Sequence, residues 1–173
     1  MAALDIGLRT ILAAVFAVAF GSKAHSRAAF AAFAATLADF GWLRGRRRTA
    51  VALAVPAAEA VLVVLLAIPA TVMAGFAMAA LMLAVFTGAT GREVAAGRLV
   101  RCRCFGGGGA RIGPAQLARN LLLLGCAGAG VALTAASAGG ASAWMLVLAI
   151  GGALLAATFI VHWDELATLA RPS

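Results

Sequence analysis

Charge is scarce in this 173-residue chain: only 12% of its residues are Asp, Glu, Lys or Arg, whereas 64% are hydrophobic, and the mean hydropathy is +1.04. Soluble domains carry roughly 45 to 50% apolar residues, so the composition excludes a water-soluble fold. Acidic residues are scarcer still, 6 against 14 basic ones, giving a net charge of +8 and a pI near 11.5. In a soluble protein that excess would suggest nucleic acid. Here the basic residues fall in the breaks between apolar blocks, where they fix membrane orientation and meet anionic lipid headgroups, and no nucleic-acid partner is expected. Cysteine is limited to 3 residues, too few for a secreted disulfide scaffold but enough for one redox pair. With 2 histidines beside them, a four-coordinate zinc is under-supplied, and no metal site is expected.

What the chain has in abundance is apolar blocks, several of them about 18 to 23 residues long, the length that carries a helix across the hydrocarbon core. The first covers about Thr10 to Gly21 and is extended by Leu4, Ile6 and Leu8. A cleaved leader ending near Ser22-Lys23-Ala24 is the competing reading, to which Asp5 is a poor fit because a leader begins with a basic region. Ala28 to Phe40 repeats Phe30, Phe33, Leu37 and Phe40 at helical spacing but is too short to span, so it is expected to lie in the interface with its phenylalanines in lipid. After Trp42 and the run Arg44, Arg46, Arg47 and Arg48, further spans are expected over about Thr49 to Leu66, Val72 to Thr90, Pro114 to Ala136 and Trp144 to Val161. Pro114 suits a first helical turn, where a missing N–H costs nothing. Trp144 and Trp163 bracket roughly 27 Å of helix, as an aromatic belt would. The expected class is an all-α, polytopic transmembrane bundle of four to five spans plus a short interfacial amphipathic helix, one integral membrane domain over residues 1–173.

Short uncharged turns alternate with long arginine-rich loops, a pattern that places the N-terminus outside and the loop carrying Arg98, Arg101, Arg103 and Arg111 on the cytoplasmic side of the cell membrane. Gly125, Cys126, Gly128, Ala129 and Gly130, and later Gly151 and Gly152, are small residues expected to permit close helix packing.

Chemistry concentrates in Arg101-Cys102-Arg103-Cys104-Phe105-Gly106 and the three glycines after it. Two cysteines one residue apart close only a tight, strained and therefore easily reduced disulfide. The flanking arginines favour the thiolate, and the glycines leave the sulfurs accessible. No Lys-Ser or Lys-Thr follows the glycines, and no strand precedes them, so they form neither a phosphate loop nor a dinucleotide fingerprint. Two free thiols without a role are the bland alternative. Glu59, near mid-span and three residues after Pro56, is costly in a bilayer and is a functional candidate by default. Arg119 and Asn120 are its first candidate partners and Lys23 the second; a structural clasp and a proton relay are the two roles open to it. His25 and His162, at span ends, are expected to be solvated.

Lys23, Pro56 with Glu59, Gly97-Arg98, Cys102-x-Cys104-Phe105-Gly106 and Arg119-Asn120 together resemble the MauE/DoxX-like redox-associated membrane proteins, most closely their MauE branch. These features cover about the first two thirds of the chain. Arg103 departs from the family, which more usually has glycine between the cysteines. The resemblance implies a membrane factor for processing, transport or maturation of a disulfide-rich client, as in the small subunit of methylamine dehydrogenase, with thiol homeostasis the theme among DoxX-like relatives. The residues then expected to act are Cys102 and Cys104 as the redox pair, with Glu59, Arg119 and Asn120 organising the bundle beneath them, a proton relay remaining open to Glu59, and Lys23, Phe105 and Gly106 in support. No bound cofactor is expected, and a quinone or a partner dithiol protein would take over the electrons. The rival reading is a non-enzymatic assembly or transport factor whose cysteine loop only docks a partner.

Overall fold

The computed structural model describes residues 2–41, 43–97, 114–136 and 143–162. Among these residues there are six α-helices: α1 (Ala2–Ala24), α2 (Arg27–Thr36), α3 (Arg46–Ala67), α4 (Val72–Ala95), α5 (Pro114–Ala136) and α6 (Ala143–Val161). Among the described residues there is no strand, and every helix but α2 is long and apolar enough to cross a membrane. The chain is thus a helical membrane protein, with five helices of spanning length among its described residues, at the upper end of the expected range.

Each spanning helix buries one stripe and turns the rest outward. On α1 the stripe is Leu12, Val15, Phe16, Ala19 and Lys23; on α3 it is Ala52, Pro56, Glu59, Leu62 and Leu66. Steps of three and four residues hold one face of a 3.6-residue helix against its neighbours. The outward faces carry Leu53, Val61, Leu81, Val85, Leu148 and Leu155, all well exposed, as lipid-facing side chains must be. α1 is central: it packs against α3, α5 and α6, while α4 joins α3 and α5 on the far side.

The ends of the bundle are chemically unlike. At one end Thr134 Oγ1 of α5 donates to Asp5 Oδ1 of α1 at 2.8 Å, and Arg9 Nη2 donates at 2.6 Å to the carbonyl of Ala67, one of the acceptors left over at the C-terminus of α3. At the other, basic end lie Arg27, Arg44, Arg46, Arg47, Arg48 and Arg92, all exposed. α4 ends there with Gly97 at φ 66°, a left-handed residue past the C-cap whose N–H reaches the carbonyl of Val94 at 3.0 Å.

Two glycines govern close approach. A Cβ at Gly75 would press on Leu66, and one at Gly130 would overlap the ring of Phe76, itself fully buried. Gly75 was not among the expected small contacts, and of the expected ones only Gly130 is tight; Gly125, Gly128, Gly151 and Gly152 face open space. Their spacing alone could not reveal which side of α5 or α6 meets protein.

The short amphipathic helix α2 also departs from expectation in where its phenylalanines go. Ser26 caps it by accepting from Ala29 N at 3.0 Å. Phe33, Leu37, Phe40 and Leu43 form a second apolar cluster with Ala52 of α3, against which Phe86, Ala89 and Val94 of α4 pack. The aromatic face therefore lies on the bundle rather than in lipid, because the ends of α3 and α4 offer an apolar surface that closes over it.

Candidate functional site

At the basic end the buried stripes change character. Among the described residues the buried polar and charged ones are Lys23 on α1, Glu59 on α3, Thr90 and Glu93 on α4, and Gln116, Arg119 and Asn120 on α5. Lys23, Glu93, Arg119 and Asn120 are each no more than 2% exposed and Glu59 is 5%. Two cations and two carboxylates balance, which a low-dielectric interior demands of buried charges.

Lys23 and Glu59 form an ion pair, Nζ to Oε1 at 2.9 Å. Lys23 is the penultimate residue of α1, yet its ammonium does not turn to water. A helical side chain leans toward its own N-terminus, and Nζ follows that lean, donating to the carbonyl of Ala19 at 2.9 Å. Phe33 of α2 covers it, its ring centroid 5.2 Å from Nζ, within cation–π range. Glu59 leans the opposite way, toward the basic end, because α3 runs antiparallel to α1. The second carboxylate oxygen, Oε2, is buried and has no hydrogen-bond partner among the described residues. Pro56, one turn earlier and buried, has no N–H to return to the carbonyl of Ala52, so the helix backbone is interrupted beside the pair.

The sequence named Arg119 and Asn120 as first partners for Glu59; the structure pairs it with Lys23. Sequence separation cannot distinguish the two, since only the packing of α1 on α3 brings positions 36 residues apart together. Arg119 and Asn120 belong to the same layer from the α5 side. Glu93 and Gln116 were missed. The third span was expected to end at Thr90, which left Glu93 in a loop, but α4 continues to Ala95 and holds Glu93 fully buried on the stripe of Thr90. One signal was available: Lys23, Asn120 and Gln116 are the only lysine, asparagine and glutamine in the chain, and all three are in this layer. Residues so rare in an arginine-rich membrane sequence are rare because the positions are special.

Trp163 lies outside the described residues, as do Cys102, Cys104, Phe105 and Gly106; in the sequence these last four belong to residues 98–113, which join α4, ending at the basic end, to α5. Cys126 is half-buried and unbridged in the body of α5. His25 and His162 are exposed, each with Nδ1 3.0 Å from a carbonyl one turn back. Among the described residues no three His, Cys, Asp or Glu side chains gather to hold a metal ion.

Five apolar helices enclosing a charge-balanced layer at one end define an integral membrane protein with ionisable groups kept inside its bundle. The chain belongs to the MauE family: the family model described as methylamine utilisation protein MauE matches residues 1–134, a stretch that includes Lys23, Glu59, both loop cysteines, Arg119 and Asn120. No curated protein and no solved structure matches the chain.

Proposed function

We propose that this MauE-family membrane protein is a thiol-redox maturation factor, supporting disulfide formation, processing or export of a partner such as a methylamine dehydrogenase small subunit. The observation that carries the reading is the Cys102-x-Cys104-Phe105-Gly106 string within the family match, joined to the end of the bundle where the buried ionisable layer lies. In the reaction, two partner thiols become a disulfide, and the Cys102–Cys104 disulfide becomes a dithiol, with two electrons and two protons transferred. A quinone, leaving as quinol, or the disulfide form of a second protein, leaving as its dithiol, then takes the two electrons and two protons and reoxidises the pair, since one pair cannot complete a relay. Arg101 and Arg103 stabilise the thiolates. Glu59, paired with Lys23, carries a proton for the exchange, while Arg119 and Asn120 hold α5 in place beneath the loop. The arginines at the basic end support, by the positive-inside rule, a cytoplasmic position for that loop at the cell membrane, with the N-terminus outside.

The test replaces Cys102 and Cys104 by serine and follows the free thiols of the partner protein in cells. Accumulation of reduced partner supports the reading. Normal partner disulfides in that strain, or a pair that never oxidises across a physiological range of potentials, leave only a docking or assembly role.

A further inference from the structure

Three buried polar side-chain atoms on three different helices lack a hydrogen-bond partner among the described residues: Glu59 Oε2 on α3, Thr87 Oγ1 on α4 and Asn120 Nδ2 on α5. Their demands are complementary. Glu59 needs a donor, Asn120 needs an acceptor, and a hydroxyl can be either.

Helix register brings them to one depth. Gly91 faces Leu117 and Gly130 faces Phe76, so α4 and α5 run antiparallel with Thr87 level with Asn120. Between α3 and α4, Gly75 faces Leu66, and Ala52 packs in the cluster that Ala89 adjoins, which sets the Glu59 backbone opposite Met82. That is five residues, or about 7.5 Å, deeper than Thr87. The lean of Glu59 toward the basic end recovers several ångströms of it. On α1, the Asp5–Thr134 bond sets Ala19, whose carbonyl holds the Lys23 ammonium, level with Asn120 as well. The carboxylate bound to that ammonium is therefore at the depth of Asn120 and Thr87.

We propose that Glu59 Oε2, Thr87 Oγ1 and Asn120 Nδ2 hold a buried water molecule beside the Lys23–Glu59 ion pair. A buried water makes about three hydrogen bonds, and orphaned polar atoms in a membrane interior each cost several kcal/mol, so a three-sided polar site of this kind recruits one. The water accepts from Asn120, donates to Glu59 and completes its set with Thr87. It extends the hydrogen-bonded chain of α1 and α3 to α4 and α5, and it gives Glu59 a proton-exchange partner other than Lys23. The inference makes no use of the cysteine pair and is tested separately from the thiol reading.

Because Asn120 is the only asparagine, isotope-labelled asparagine places one side-chain amide signal in the whole protein. With the full chain in phosphatidylglycerol-containing bilayers, water-edited solid-state NMR should show early magnetisation transfer from water to that amide. In Thr87→Val the transfer should fall at least about twofold, since one of three ligands is lost, and in Thr87→Ser, which keeps the hydroxyl, it should persist. The signal of isotope-labelled Lys23 should be unchanged in both variants, reporting an intact bundle. An Asn120 amide that receives nothing from water in the wild type overturns the proposal, as does transfer that is equal in Thr87→Val and wild type.

Discussion

Breaking the Lys23–Glu59 pair from either side should be far worse than removing it whole. At 2.9 Å the pair attracts by about 6 kcal/mol gross if the effective dielectric constant is near 20. Desolvating both groups consumes much of that, so the net value of the pair is small, whereas an orphaned partner is expensive, about 3–5 kcal/mol. The structure also orders the two single variants. Glu59→Leu leaves the ammonium with the Ala19 carbonyl at 2.9 Å and the Phe33 ring at 5.2 Å. Lys23→Met leaves a carboxylate whose other oxygen already lacks a partner among the described residues. Lys23→Met should therefore be the more destabilising, and the double variant Lys23→Met/Glu59→Leu should recover most of the loss. The assay is reversible unfolding in a detergent and SDS titration followed by the fluorescence of the 3 tryptophans. A coupling of about 2 kcal/mol or more in the double-mutant cycle is expected. Single losses that simply add, or that each stay below about 1 kcal/mol, would refute the pair as a buried, mutually satisfying unit.

Other parts of the structure are equally open to test. Gly130→Ala forces a methyl into the Phe76 ring and should cost about 1–3 kcal/mol in the same titration, while Gly128→Ala, facing open space, should change it by less than about 0.5 kcal/mol. Phe33→Ala removes the cover over Lys23 and the anchor of α2; a loss of about 3–5 kcal/mol and faster amide hydrogen exchange throughout Arg27–Thr36 are expected, and unchanged exchange would mean that α2 is held by something else. A membrane-impermeant thiol reagent applied to sealed vesicles of each orientation should label Cys102 and Cys104 only from the cytoplasmic face, and labelling from the outer face would invert the topology.

Much of this was legible in the sequence because membrane insertion is a local problem. Every backbone polar group in lipid must be satisfied within its own segment, so a helix that spans announces itself by length and apolarity. The five spans were read to within a few residues at their ends, the first once extended back to Leu4, with the exception of α4, where Gly88, Gly91 and Arg92 look like a stop signal but the helix continues to Ala95. The family, too, was readable, since its motifs are strings of neighbouring residues.

Facing directions and partners were not readable in that way. A phenylalanine face at helical spacing is equally suited to lipid and to protein, and only the packed ends of α3 and α4 decided that α2 turns Phe33 inward. A glycine is tight or idle according to what crosses it, which is why Gly130 matters and Gly151 does not.

Scarcity of charge established by itself that this is a membrane protein, and the placing of the few charges marked Glu59, Lys23 and Arg119 as exceptional, because the cost of a charge in lipid rises with its depth. Which charge answers which was a matter for the tertiary structure alone. Lys23 meets Glu59, and Glu93 is buried at the same end, because helices far apart in sequence are brought into antiparallel register.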